Sequence, residues 1–127
     1  MTELDSLLEE PQKVYNIEHR AFKFSKDVIL FVSESRFDKV FHSMFDQLVR
    51  SATSVGANLV EAKAGSSEKH FLKFYVIALK YANEIRYWLC LISDSLPADK
   101  NKISVLLQEA DKLSKIIASI IISTKER

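Results

Sequence analysis

The chain has 127 residues, enough for one ordinary domain and too few for two. Hydrophobic residues make up 47% and charged residues 28%, a globular rather than a disordered composition. Glycine and proline occur only twice each. That scarcity excludes a Rossmann fingerprint, a Walker phosphate loop and the turn-rich pattern of an all-β sandwich.

The lone Cys90 can form no intramolecular disulfide and completes no cysteine-based zinc set. It suits a reducing compartment, so a cytoplasmic location is expected. No run approaches the roughly 18 apolar residues of a membrane-spanning helix. Net charge is +1. Residues 1–10 carry Glu3, Asp5, Glu9 and Glu10 and no base, the wrong character for a signal peptide. The rest of the chain is therefore mildly basic, short of a dedicated nucleic-acid domain.

In chain order, residues 1–15 read as an acidic leader, partly ordered, and residues 16–127 as the folded domain. Ala21, Phe24, Val28, Phe31 and Val32 recur at helical spacing and predict a first helix over about 17–35. Phe41, Met44, Phe45, Leu48, Ala52, Val55 and Leu59 predict a second over about 39–62. Gly65 suits the end of that helix, and Ser66 or Ser67 can cap the next, with Glu68 at its positive end. A third helix, about 67–93, is expected to bury Phe71, Phe74, Ala78, Tyr81, Ile85, Trp88 and Ile92 before Ser95 and Pro97 end it. A fourth, about 99–124, buries Ile103, Leu106, Leu107, Ala110, Leu113, Ile117 and Ile121. Its isoleucine run favours strand by propensity, but it continues the helical pattern without a turn signal. Short connections make neighbours antiparallel, so the expected fold is an all-α, antiparallel up-down-up-down four-helix bundle.

The third and fourth helices carry more apolar surface than one stripe requires. Leu72, Val76 and Leu79 fall off the core side of the third, and Val105, Ile116 and Ile120 flank the stripe of the fourth. These six are the expected oligomer interface, and a homo-oligomer is the expected state.

The sequence carries no catalytic signature. His19, His42 and His70 lie in separate segments without metal-binding spacing, and no GxSxG elbow or Glu-x-x-His pair occurs. Cys90 has apolar neighbours and reads as a small core or interface residue. The chain therefore reads as non-enzymatic, with no metal, cofactor or small-molecule substrate expected.

Two polar constellations stand out. Arg50, Ser54, Asn58 and Glu61 recur along one side of the second helix, an unusually small-residue polar face. With Glu84 of the third helix they form a candidate structural network, in which Glu84 could pair with Arg50. On the third helix, Lys69, Lys73 and Lys80 align with Tyr87, and Arg86 lies slightly aside. Such a stripe can follow phosphates and offer a ring for stacking, although a solvated helix face is its ordinary use.

The segment Gln47 to Ala62, with Gln47-Leu48, Arg50, Ser54, Asn58 and Glu61-Ala62 in register, resembles a family signature. Downstream, Phe71-Leu72-Lys73-Phe74, Ala82-Asn83-Glu84 and Tyr87-Trp88-Leu89 are similar to that family's next helix. The family is the bacterial four-helix bundle proteins read from intervening sequences of large-subunit ribosomal RNA genes. A relative is the accessory variability determinant of diversity-generating retroelements. The resemblance covers about residues 13–125, most specifically 47–91. It implies a four-helix bundle, a pentameric ring and no catalysis. For the retroelement branch it implies binding to a reverse transcriptase and to nucleic acid, through a markedly basic surface. Ser51 departs from the usual alanine after the signature arginine, and a net charge of +1 is low for that branch. The resulting expectation is a self-assembling interaction or scaffold protein, RNA-associated through Lys69, Lys73, Lys80, Arg86 and Tyr87. A nucleic-acid-binding accessory subunit of a reverse transcriptase is the alternative.

Overall fold

The computed structural model describes residues 16–127, and the expected acidic leader lies outside the described residues. Four helices follow in order: α1 (Ile17–Glu34), α2 (His42–Ala64), α3 (Glu68–Ser95) and α4 (Lys100–Lys125). The expected start of the second helix is instead a 3-10 turn, Lys39–Phe41, which feeds directly into α2.

Capping explains the boundaries. Asn16 accepts from the His19 N–H at 2.9 Å, and Ser67 from the His70 N–H at 3.0 Å. Asp99 accepts from the N–H groups of Asn101 and Lys102, both at 3.1 Å. Each satisfies an N–H that the first helical turn leaves unpaired. At the other end of α3, the Lys100 ammonium donates to the Ser93 carbonyl at 2.6 Å, where a cation meets the negative end of the helix.

Packing runs α1 to α2, α2 to α3, α3 to α4, with α4 returning to α1. Consecutive helices are antiparallel, which completes an all-α four-helix bundle. The core contains every residue expected to be fully buried on α1 from Ala21 to Phe31, and Phe45, Leu48, Ala52, Val55 and Leu59 of α2. On α4 it contains Ile103, Leu106, Ala110, Leu113, Ile117 and Ile121. Val32, Phe41, Met44 and Leu107 pack at its margin.

The expected face of α3 needs correction. Ala78, Ile85 and Ile92 are fully buried, but so are Ala82 and Leu89, and Tyr75 nearly so. Phe71, Phe74, Tyr81 and Trp88 are only half-buried and pack on the edge of the core. Small side chains fit where helices approach closely, while the large rings cover the seams beside them. Cys90 is exposed, one position beyond buried Leu89, which excludes the core place of the two expected for it.

Gly65 ends α2 at φ −82°, ψ 164°, so no left-handed backbone calls for glycine here. Space does. A methyl at Gly65 would overlap the His70 ring. That ring lies with Nε2 2.9 Å from the Glu61 carbonyl, an orphan acceptor of the last turn of α2, and donates to it when the proton is on Nε2. Gly65→Ala is expected to displace the ring and destabilise the fold by about 1 kcal/mol, the worth of one such bond. In a His70→Ala background the same change should cost much less, and urea melts of the four proteins measure the difference.

Gly56 presents the opposite case. A methyl there would sit 3.6 Å from the Ala21 Cβ, an ordinary contact. Gly56→Ala is expected to stabilise by about 1 kcal/mol through helix propensity, read as a raised urea midpoint with unchanged slope.

Candidate functional site

The α2/α3 seam carries the polar residues the sequence singled out, but they do not form one network. Glu84, half-buried on α3, accepts from the fully buried Ser51 Oγ at 2.9 Å and from the Trp88 indole N–H at 3.1 Å. Both bonds end on Oε1, and among the described residues Oε2 has no hydrogen-bond partner. The expected Arg50–Glu84 pair is not formed within the chain. Arg50 is exposed, and its neighbour Ser51 reaches Glu84 instead.

The other members turn elsewhere. Asn58 donates back to the Ser54 carbonyl of its own helix at 2.7 Å. The Glu61 carboxylate lies 3.4 Å from His70 Nε2 at the end of α2. Ser51 flanks the polar face in the sequence and was not counted among its members; a hydroxyl beside the inward-facing Ala52 is the signal that could have found it.

The basic stripe of α3 is exposed as its spacing predicts: Lys69, Lys73, Lys80, Arg86 and Tyr87 all face outward. The Lys73 ammonium lies 5.4 Å from the centre of the Phe74 ring, and that of Lys80 lies 5.5 Å from the Tyr81 ring. These cation–π contacts hold the stems along the helix surface. Among the described residues no carboxylate pairs with Lys69, Lys73 or Lys80. Arg86 differs, because Asp111 of α4 lies 3.7 Å away. The hydrogen bond from Lys115, then the nearby charges of Lys115 and Arg86, hold Asp111 below the usual carboxylate range. Arg86 therefore belongs to the α3/α4 seam more than to the stripe.

The six expected interface residues divide. Leu72, Leu79, Ile116 and Ile120 pack against the chain's own core, because the bundle buries wide faces of α3 and α4. Val76 and Val105 remain open, at 48% and 65% exposure. Leu30, 55% exposed, joins Val105 in a shallow groove between α1 and α4, beside Asp27, Glu34 and Lys102. Tyr87, 60% exposed, continues the open face of α3 towards Cys90 and Leu91. Leu30 was not singled out from the sequence, since it lies outside the α1 stripe.

Among the described residues no cluster of three or more histidine, cysteine or acidic side chains is placed to hold a metal ion. No described helix is long and apolar enough to cross a membrane.

Comparison with known proteins agrees with the fold. The chain is similar to a protein of unknown function from the S23 ribosomal protein family of Bacteroides thetaiotaomicron VPI-5482, known from a crystal structure at 1.70 Å resolution. The two are 28% identical, the likeness covers 83% of this chain and 97% of that one, and the TM-score is 0.73. Among curated proteins, none matches the chain significantly. Residues 13–119, nearly the whole bundle, match the 23S rRNA-intervening sequence protein family, and the chain belongs to that family.

Proposed function

We propose that this chain is a non-catalytic scaffold that works as a homo-oligomer and contacts RNA through the outward face of α3. A ring of five is the form that the family resemblance implies. One observation carries the reading. Val76 and Tyr87 lie open on α3 beside Lys69, Lys73 and Lys80, which have no acidic partner among the described residues. Open apolar side chains gain by being covered, and unpaired ammonium groups gain by meeting phosphates. Repetition around an oligomer multiplies a stripe too weak to bind alone. The accessory-subunit reading uses the same lysines; a net charge of +1 favours the scaffold.

Two measurements test the proposal. Sedimentation velocity is expected to show wild type heavier than one chain, and Val76→Glu to shift it towards the monomer. A wild type that stays monomeric at all concentrations overturns self-assembly. RNA binding is then followed across a salt series, with wild type beside a Lys69, Lys73, Lys80 triple alanine variant. Removing three cations is expected to lower the slope of log affinity against log salt by roughly 2 per chain engaged. No binding at low salt, or an unchanged slope in the variant, removes RNA from the reading.

A further inference from the structure

Glu84 leaves one carboxylate oxygen without a protein hydrogen bond among the described residues. Its carboxylate is half-buried, and the Ser51 hydroxyl and the Trp88 indole hold it in one orientation through Oε1 alone. Oε2 has no hydrogen bond, and no cation lies within ion-pair distance among the described residues. A carboxylate drawn partly out of water gains from a cation, and a guanidinium supplies the best-matched donors. Arg50 has such a guanidinium, is exposed, and has no acidic partner among the described residues. Both groups lie on the same pair of helices, one on α2 and the other on α3, yet the chain leaves them apart.

We propose that Arg50 of one copy pairs with Glu84 of the next, so that this contact orients the assembly. The inference rests on the proposed self-assembly and names a polar contact within it. Arg50 is carried by α2 and Glu84 by α3, at the seam where Ser51 meets Glu84. In the proposed contact α2 of one copy meets α3 of its neighbour, and such a head-to-tail contact closes into a ring where the rotation between copies allows. The exposed Tyr87 lies one helical turn from Glu84 on the same helix.

Charge exchange tests the contact. Arg50→Glu changes an exposed residue and leaves the core untouched. It is expected to weaken association roughly tenfold or more in a sedimentation concentration series, with unchanged helical circular dichroism. Glu84→Gln keeps an acceptor for Ser51 and Trp88 while removing the charge, and should weaken association without loss of helix. Glu84→Arg should also weaken it. Mixing the Arg50→Glu and Glu84→Arg proteins is expected to restore heavier species, because each then supplies what the other lacks. Recovery in the double variant but not in the mixture would place the pair within one chain and overturn the inference. So would an Arg50→Glu protein that assembles like wild type. A monomeric wild type removes the self-assembly reading itself, whereas an assembling wild type indifferent to both exchanges removes only this contact.

Discussion

Close approach of the helix backbones is the constraint on which the rest of the bundle depends. Each helix places fully buried alanine on its inner face: Ala21 on α1, Ala52 on α2, Ala78 and Ala82 on α3, Ala110 on α4. Small side chains at these crossings let facing ridges interlock at short range. Gly56 also faces Ala21, with room for a methyl between them. Closeness is also what lets short polar side chains bridge helices. The Ser25 hydroxyl lies 3.1 Å from the Ala21 carbonyl and 3.1 Å from the Ala52 carbonyl across the α1/α2 crossing. Ser51 reaches Glu84 across the next. Larger residues at the alanine positions would separate the helices and break both ties.

Phe24 is fully buried, but most of the other large rings lie towards the ends and seams. Phe37 stacks on Phe45 at 3.9 Å and Phe31 lies against the same ring, closing the end where α1 turns into α2. Phe71 stacks on Tyr75 at 4.2 Å near the opposite end. Burial pushes the Tyr75 phenol well above its ordinary range, and the negative charge of Glu18 adds to the effect. Polar ties along the seams are half-exposed, such as the Arg20–Glu109 pair with bonds of 2.6 and 3.0 Å between α1 and α4. Fully exposed pairs add little stability in water, and this one differs in being two-point and partly buried. Its geometry fixes which turn of one helix faces which turn of the next.

The helices, their order and most of the core were legible because α1, α2 and α4 each show one dominant apolar phase. The inner face of α3 was only partly legible for a physical reason. Its apolar residues occupy nearly the whole circumference, so hydrophobicity alone does not say which side is core. A stripe centred on Ala78 and Ile85 has the right centre, but taking in Phe71, Phe74, Tyr81 and Trp88 places those rings too deep and leaves out Tyr75, Ala82 and Leu89. The outward position of Lys69, Lys73 and Lys80 was legible, because unpaired ammonium groups are costly to bury and their spacing is helical.

Pairing was the least legible part of the site. Spacing can place Arg50, Ser51 and Glu84 on facing helices, but an acceptor is claimed by whichever donor arrives at hydrogen-bond distance. Buried Ser51 points into the seam and needs a partner, since an unsatisfied hydroxyl there would be costly. Trp88, one helical turn beyond Glu84, brings a second donor to the same oxygen. Exposed Arg50 can be satisfied by water and so has no equal claim. The two neutral donors fix the carboxylate without neutralising it. The charge left at the surface of the α2/α3 seam is therefore a consequence of how the core beneath it is satisfied.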